Sequence, residues 1–139
     1  MPVERVMAIR GAIQIAADTS ACITVGTMTL LRRLLSDNAL TPKDVVSLLF
    51  TMTPDLSADL PPLVVRDDGW SDVPMLCAAE LRTPLMTPKT VRVLAHVRVR
   101  GPVRLMSVYL PDSLRNRPAP TTQPLGRDPL SAGPRERVS

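Results

Sequence analysis

Between Val91 and Val99 the chain alternates without interruption. Val91, Val93, Ala95, Val97 and Val99 share one face of an extended segment, and Arg92, Leu94, His96 and Arg98 share the other. A period of two predicts a strand with one apolar face. A stretch of the opposite kind lies earlier. Ala21, Ile23, Val25, Met28, Leu31, Leu34 and Leu35 recur at helical spacing, with Arg32 and Arg33 turned outward. That pattern predicts a helix over 19–37, capped by Asp18 and ended by Asn38 and Pro42. Half-apolar strands and a long amphipathic helix together require an α+β fold.

The remaining elements follow from shorter signals. Val6–Ala12 predicts a first strand that ends where Gly11 allows a close backbone approach. Thr41-Pro42-Lys43-Asp44 reads as a cap and turn, and the β-branched and aromatic run 45–51 as a buried strand broken by Thr53-Pro54-Asp55. Asp59 followed by Pro61 and Pro62 opens a short helix that Gly69 ends. Val73–Leu81 and Val108–Leu110 complete a set of five strands. A length of 139 residues suits one domain. Residues 118–139 hold five of the 15 prolines and few apolar side chains, so the chain divides into a folded unit, 1–117, and a disordered tail, 118–139.

Composition excludes several functions. Phe50, Trp70 and Tyr109 are the only aromatics, too few to stack single-stranded nucleic acid. Cys22 and Cys77 cannot make a disulfide framework or a four-ligand zinc site, and His96 is the only histidine, so no metal is expected. No apolar run reaches the roughly 18 residues of a membrane span, and Arg10 and Asp18 interrupt any signal peptide. A soluble cytoplasmic protein with reduced thiols is expected.

The 17 basic residues comprise 15 Arg with Lys43 and Lys89. A GC-rich genome favours arginine, but it does not concentrate charge. Residues 1–88 carry seven basic and ten acidic residues, whereas 89–117 carry seven basic residues against Asp112 alone. Guanidinium offers a flat bidentate fork for carboxylate or phosphate. Arg92 and Glu80 stand in segments that otherwise read as buried strands, where each needs a counter-ion or a ligand.

The chemistry these residues permit is narrow. Cys77 or a serine beside His96 would be a nucleophilic site, but one histidine alternating with Arg and Val in a strand is more often a hydrogen-bonded bystander. Glu80 has no carboxylate partner nearby in sequence, and no glycine-rich phosphate loop occurs. What is left is an arginine-rich site with one carboxylate, one thiol and one phenol. Such a set binds and polarises a small anion without covalent chemistry.

The chain resembles the monofunctional chorismate mutases of the trimeric pseudo-α/β-barrel class. The shared landmarks are Ile9-Arg10-Gly11-Ala12, Thr53-Pro54-Asp55-Leu56, Val65-Arg66 with Gly69-Trp70, and Val73-Pro74 leading to Cys77 and Glu80. Val91-Arg92-Val93, Val108-Tyr109-Leu110 and Arg117-Pro118 follow in the family's order, so the resemblance spans about residues 6–118. It implies a mixed β-sheet with one long and one short helix, three chains forming the barrel, and pockets between chains. It also implies a Claisen-type [3,3] rearrangement of chorismate to prephenate in aromatic amino-acid biosynthesis, with no cofactor. By the same resemblance Arg92 reaches the ether oxygen, Arg10 and Tyr109 grip the side-chain carboxylate, and Glu80 accepts the ring hydroxyl's hydrogen bond. Cys77 lines that end, while Arg66 and Arg117 stand at the mouth near the ring carboxylate. Leu60 and Leu63 replace an aromatic residue and a lysine common in the family, which changes the wall of the mouth.

Plainer roles compete for the same residues. Arg10 reads equally as an edge-strand charge, Arg92 as a structural partner of Glu80, Tyr109 as a core filler, and Trp70 as packing. Arg98, Arg100 and Arg104 read as a solvated face, and Arg115 as a rim residue. Two other functions remain: a non-catalytic binder of an anionic shikimate-pathway metabolite, and nucleic-acid binding through 89–117, which the missing stacking residues disfavour.

Overall fold

A computed structural model describes residues 3–111. Strands β1 (Glu4–Gln14), β2 (Val45–Met52), β3 (Met75–Ala79), β4 (Thr90–Arg100) and β5 (Val108–Leu110) form one sheet in the order β3-β2-β4-β1-β5. Helix α1 (Ser20–Ser36) crosses from β1 to β2, and the short α2 (Pro61–Asp67) from β2 to β3. β4 runs antiparallel to β1 and β2, and the two edge strands run parallel to their neighbours. The expected α+β sheet with one long and one short helix is therefore present. The expected tail and the residues Arg115 and Arg117 lie outside the described residues.

The alternation in β4 dictates the layering. Val91, Val93, Ala95, Val97 and Val99 are all buried, and Phe50, Leu48, Ile9, Ile13 and Val108 share their side of the sheet. Both helices cover that face. On α1 the buried set is Ile23, Gly26, Thr27, Met28, Leu30, Leu31, Leu34 and Leu35. Val25 and Ala21, expected inside, face outward, because the stripe runs through Thr27 and Gly26 instead. At Gly11 the Leu30 side chain of α1 lies close over the sheet: a Cβ there would stand 2.9 Å from Leu30 Cδ1. The close approach is as expected, but β1 continues past it to Gln14.

Three polar devices tie the elements together. Thr19, not Asp18, caps α1, its hydroxyl accepting from the Cys22 N–H at 3.1 Å. Asp18 instead holds the loop ahead of α2, accepting from the backbone N–H groups of Ser57 at 2.8 Å and Ala58 at 2.9 Å. At the other end of α1, Asn38 donates to Leu34 O and Met106 O and accepts from Met106 N–H at 2.6 Å. That side chain anchors the segment leading into β5. Finally, Thr53-Pro54-Asp55 does more than break β2. Thr53 Oγ1 accepts from Thr90 N–H at 2.9 Å and the Asp55 carboxylate accepts from Lys89 N–H, so the start of β4 is clamped.

The Asp18 bonds carry a pH dependence. The backbone N–H groups of Ser57 and then Ala58 hold its carboxyl below the ordinary 3.8. A lowered native value means stability that is present above pH 3.8 and is lost as pH falls through the native value. Thermal melts should show wild type more stable than Asp18→Ala at neutral pH, with the gap closing below pH 3.8. A gap that persists unchanged into stronger acid would exclude this role.

Candidate active site

The face without helices carries the polar side chains. Sheet register places Ala78, Thr51, Arg92, Ala12 and Tyr109 in one row across all five strands. Side chains in such a row point the same way. Ala12 is the small residue between the two long ones, so space opens above it. Two adjoining cavities, of about 190 and 260 Å³, are both lined by Ala12, Arg92 and Tyr109. Arg10 and Thr51 line the smaller, and Gln14, Thr87 and Thr90 the larger. Arg10 precedes Ala12 by two residues on β1 and therefore shares its face.

Glu80 sits one residue beyond β3 rather than inside it, and its N–H continues the ladder to Met52 O at 2.8 Å. Its Oε2 accepts from Arg92 Nε at 2.9 Å and from the Thr51 hydroxyl at 2.7 Å. The two charged side chains are 23% and 20% exposed, shielded enough for the pair to matter and open enough to meet a solute. The pairing of Arg92 with Glu80 is therefore real. It uses Nε, so the Nη groups are not part of it. Tyr109 is half-buried at the cavities, while its neighbours Val108 and Leu110 fill the core.

Other expected site residues do not join this row within one chain. Cys77 aligns with Phe50, on the helix-covered side, where burial pushes its thiol up from the usual value. Leu60, which precedes α2, is 49% exposed, and Arg66 is exposed on α2 with its Nε 3.7 Å from Asp67 Oδ1. Arg117 lies outside the described residues. Trp70 is buried in the core.

The charge concentration after residue 88 also resolves. Among the described residues of that group, only Arg92 lines the two cavities. Arg98 donates to Lys43 O and Arg100 meets Glu4, both at the far end of β4. A larger cavity there, about 500 Å³, is bounded by Glu4, Lys43, Asp44, Arg98 and Arg100. Most of its charged groups already have partners: Arg100 meets Glu4, Arg98 donates to the Lys43 carbonyl, and Asp44 accepts from the Thr41 N–H. The histidine is a hydrogen-bonded bystander: His96 Nδ1 lies 3.2 Å from Ser47 Oγ, four residues along β4 from Arg92. Cys77 is on the opposite face from it, so no thiol–imidazole pair forms.

Ala12, Thr51 and Gln14 were not legible in the sequence. Alternation assigns a face, but only strand pairing shows which residues stand beside Arg92. The assembled site has two guanidiniums and a phenol around a small open space, with a hydroxyl-braced carboxylate bonded to one of the guanidiniums. It can grip an anion and steady negative charge that develops on it.

The chain as a whole is similar to known proteins. The profile of the family described as chorismate mutase type I matches residues 6–119. Chorismate mutase AroH of Thermus thermophilus is 36% identical over 115 residues, covering 81% of this chain and 94% of that protein. Its namesake from Bacillus subtilis strain 168 is 36% identical over 104 residues, covering 73% and 82%. Among solved structures, a chorismate mutase from Clostridium thermocellum superposes with a TM-score of 0.70 at 32% identity, covering 76% of this chain and 95% of that one.

Proposed function

The chain belongs to the chorismate mutase type I family, and from that premise we propose that the row around Ala12 is where it works. It is an isomerase that turns chorismate into prephenate in aromatic amino-acid biosynthesis. The rearrangement needs no nucleophile and no proton transfer. Catalysis reduces to holding the reactive conformer and stabilising charge on the ether oxygen as its C–O bond breaks. Arg92 does the second, through the Nη groups that the Glu80 bond leaves out. Arg10 and Tyr109 hold the side-chain carboxylate. Glu80 takes the ring hydroxyl on Oε1, the oxygen that neither Arg92 nor Thr51 uses.

The observation that carries this reading is the placement of Arg92, Tyr109 and Arg10 about one small cavity with Glu80 braced behind Arg92. Purified protein should deplete chorismate, followed by its ultraviolet absorbance, and yield prephenate. Saturable chorismate binding without depletion would favour a binder instead.

We extend the proposal to assembly. Leu60, Arg66 and Arg117 belong to the mouth of a neighbouring chain's pocket and Cys77 lines its ring-hydroxyl end, which explains why one chain does not gather them all. The helix-free face supports this, since Leu76 is 72% and Leu49 38% exposed on it. Three chains then close a barrel, and the catalytic unit is 1–117, followed by the proline-rich segment 118–139. Sedimentation should give about three times the 15.1 kDa chain mass. A monomer that turns over chorismate at full rate would end the assembly proposal. Among the described residues no helix is long and apolar enough to cross a membrane, and we place the enzyme in the cytoplasm.

A further inference from the structure

Thr51 and Arg92 reach the same atom. The Thr51 hydroxyl donates to Glu80 Oε2 at 2.7 Å and Arg92 Nε donates to it at 2.9 Å, while Thr51 and Arg92 are themselves register partners on β2 and β4. Glu80 needs such a brace. It stands past the end of a short edge strand, on a side chain with three rotatable bonds, and Arg92 is longer still. A single bond between two flexible side chains lets them swing together. Thr51 removes that freedom. It lies on a strand paired on both sides, and its branched Cβ is stiff at χ1. From there its hydroxyl pins one carboxylate oxygen from a direction different from that of Arg92.

We propose that Thr51 is a positioning residue for the rearrangement. It fixes the Glu80 carboxylate so that Oε1 faces the substrate and the Arg92 fork is held with its Nη groups toward the cavity. The inference rests on the reading that Glu80 and Arg92 meet the substrate. Thr51 lines the smaller cavity beside Arg92, so its side chain is already within the site.

Three variants and a double variant test it: Thr51→Val, Thr51→Ser, Glu80→Ala and Thr51→Val with Glu80→Ala. Val keeps the shape and β-branching and deletes only the hydroxyl. Loss of one bond to a charged group predicts a fall in kcat/KM of about tenfold or more for Thr51→Val, with the thermal midpoint close to wild type. Thr51→Ser should recover most of that loss. In the Glu80→Ala background, Thr51→Val should cost nothing further, because the group it orients is gone. Wild-type kinetics for Thr51→Val beside an impaired Glu80→Ala would overturn this inference alone. So would a serine variant as poor as valine, or an equal loss from Thr51→Val in both backgrounds. Unimpaired Glu80→Ala would overturn both this inference and the role assigned to Glu80.

Discussion

Arg92→Lys should retain the fold and lose roughly 10²-fold or more in kcat, as removal of a placed donor to developing charge typically does. The reason is the shape of the group. Arg92 spends Nε on Glu80 Oε2 at 2.9 Å and lines both cavities, so in the proposed mechanism its other nitrogens meet the substrate. Lysine has one nitrogen on a rotatable stem, and it cannot hold Glu80 and reach the ether oxygen at once. The substitution keeps the positive charge beside Glu80, so the carboxylate is not left buried without a counter-ion and stability should change little. The loss should fall on kcat more than on KM, since the charge being stabilised is greatest in the transition state. Turnover equal to wild type would sink the electrostatic mechanism. A loss confined to KM would recast Arg92 as a ground-state binding group.

The second large effect is expected at Ala12, which carries no functional group at all. Its register partners are Arg92 on β4 and Tyr109 on β5, and it lines both cavities. Ala12→Leu would place three more carbons in the space between them. With cavities of only about 190 and 260 Å³, the substrate is excluded or tilted. A misplacement of about 1 Å is enough for roughly 10²-fold in turnover. Stability should hold, because the new side chain projects from the helix-free face. The neighbouring position supplies the opposite result. Gly11→Ala points at α1, where Cβ would meet Leu30 Cδ1 at 2.9 Å and Val93 Cγ1 at 3.4 Å. It should lower stability by about 1–3 kcal/mol through overpacking, while the molecules that fold keep their rate. Denaturant melts and initial rates on both variants separate the two cases. An active Ala12→Leu would show that the substrate sits elsewhere.

These two adjacent residues show where reading the sequence stops. Gly11 announces a close approach by its type, whereas Ala12 looks like any small residue until the strands are paired. The same division runs through the site. Arg92 in an otherwise apolar strand and Glu80 near the end of another are local anomalies, visible as charges that demand a partner. Their bond to each other, and Thr51 as the third member, depend on β2 lying beside β4 in one register. The charge excess after residue 88 misled in part. It is real in sequence, but a strand about 11 residues long carries its two ends far apart, so Arg98 and Arg100 stand at the end remote from Arg92. Asp18 reads as the cap of α1 for a similar reason, whereas Thr19 is the cap and the groups that Asp18 holds are Ser57 and Ala58, remote in sequence.

What the sequence determined by itself, then, were the properties that arise from near neighbours along the chain. Periods of two and 3.6 residues select strand and helix, and they sort each residue to the apolar or the polar side. Residue type alone already limited the chemistry to anion binding by guanidinium, phenol and carboxylate. Only the tertiary structure decided which polar side chains share a row and which oxygen of Glu80 is occupied. It also decided that Cys77, Leu60 and Arg66 stay apart from Arg92 in one chain. Strand order and register are set by how α1 and α2 bury the far face of the sheet. That is a balance of contacts between residues distant in sequence, and no local pattern encodes it.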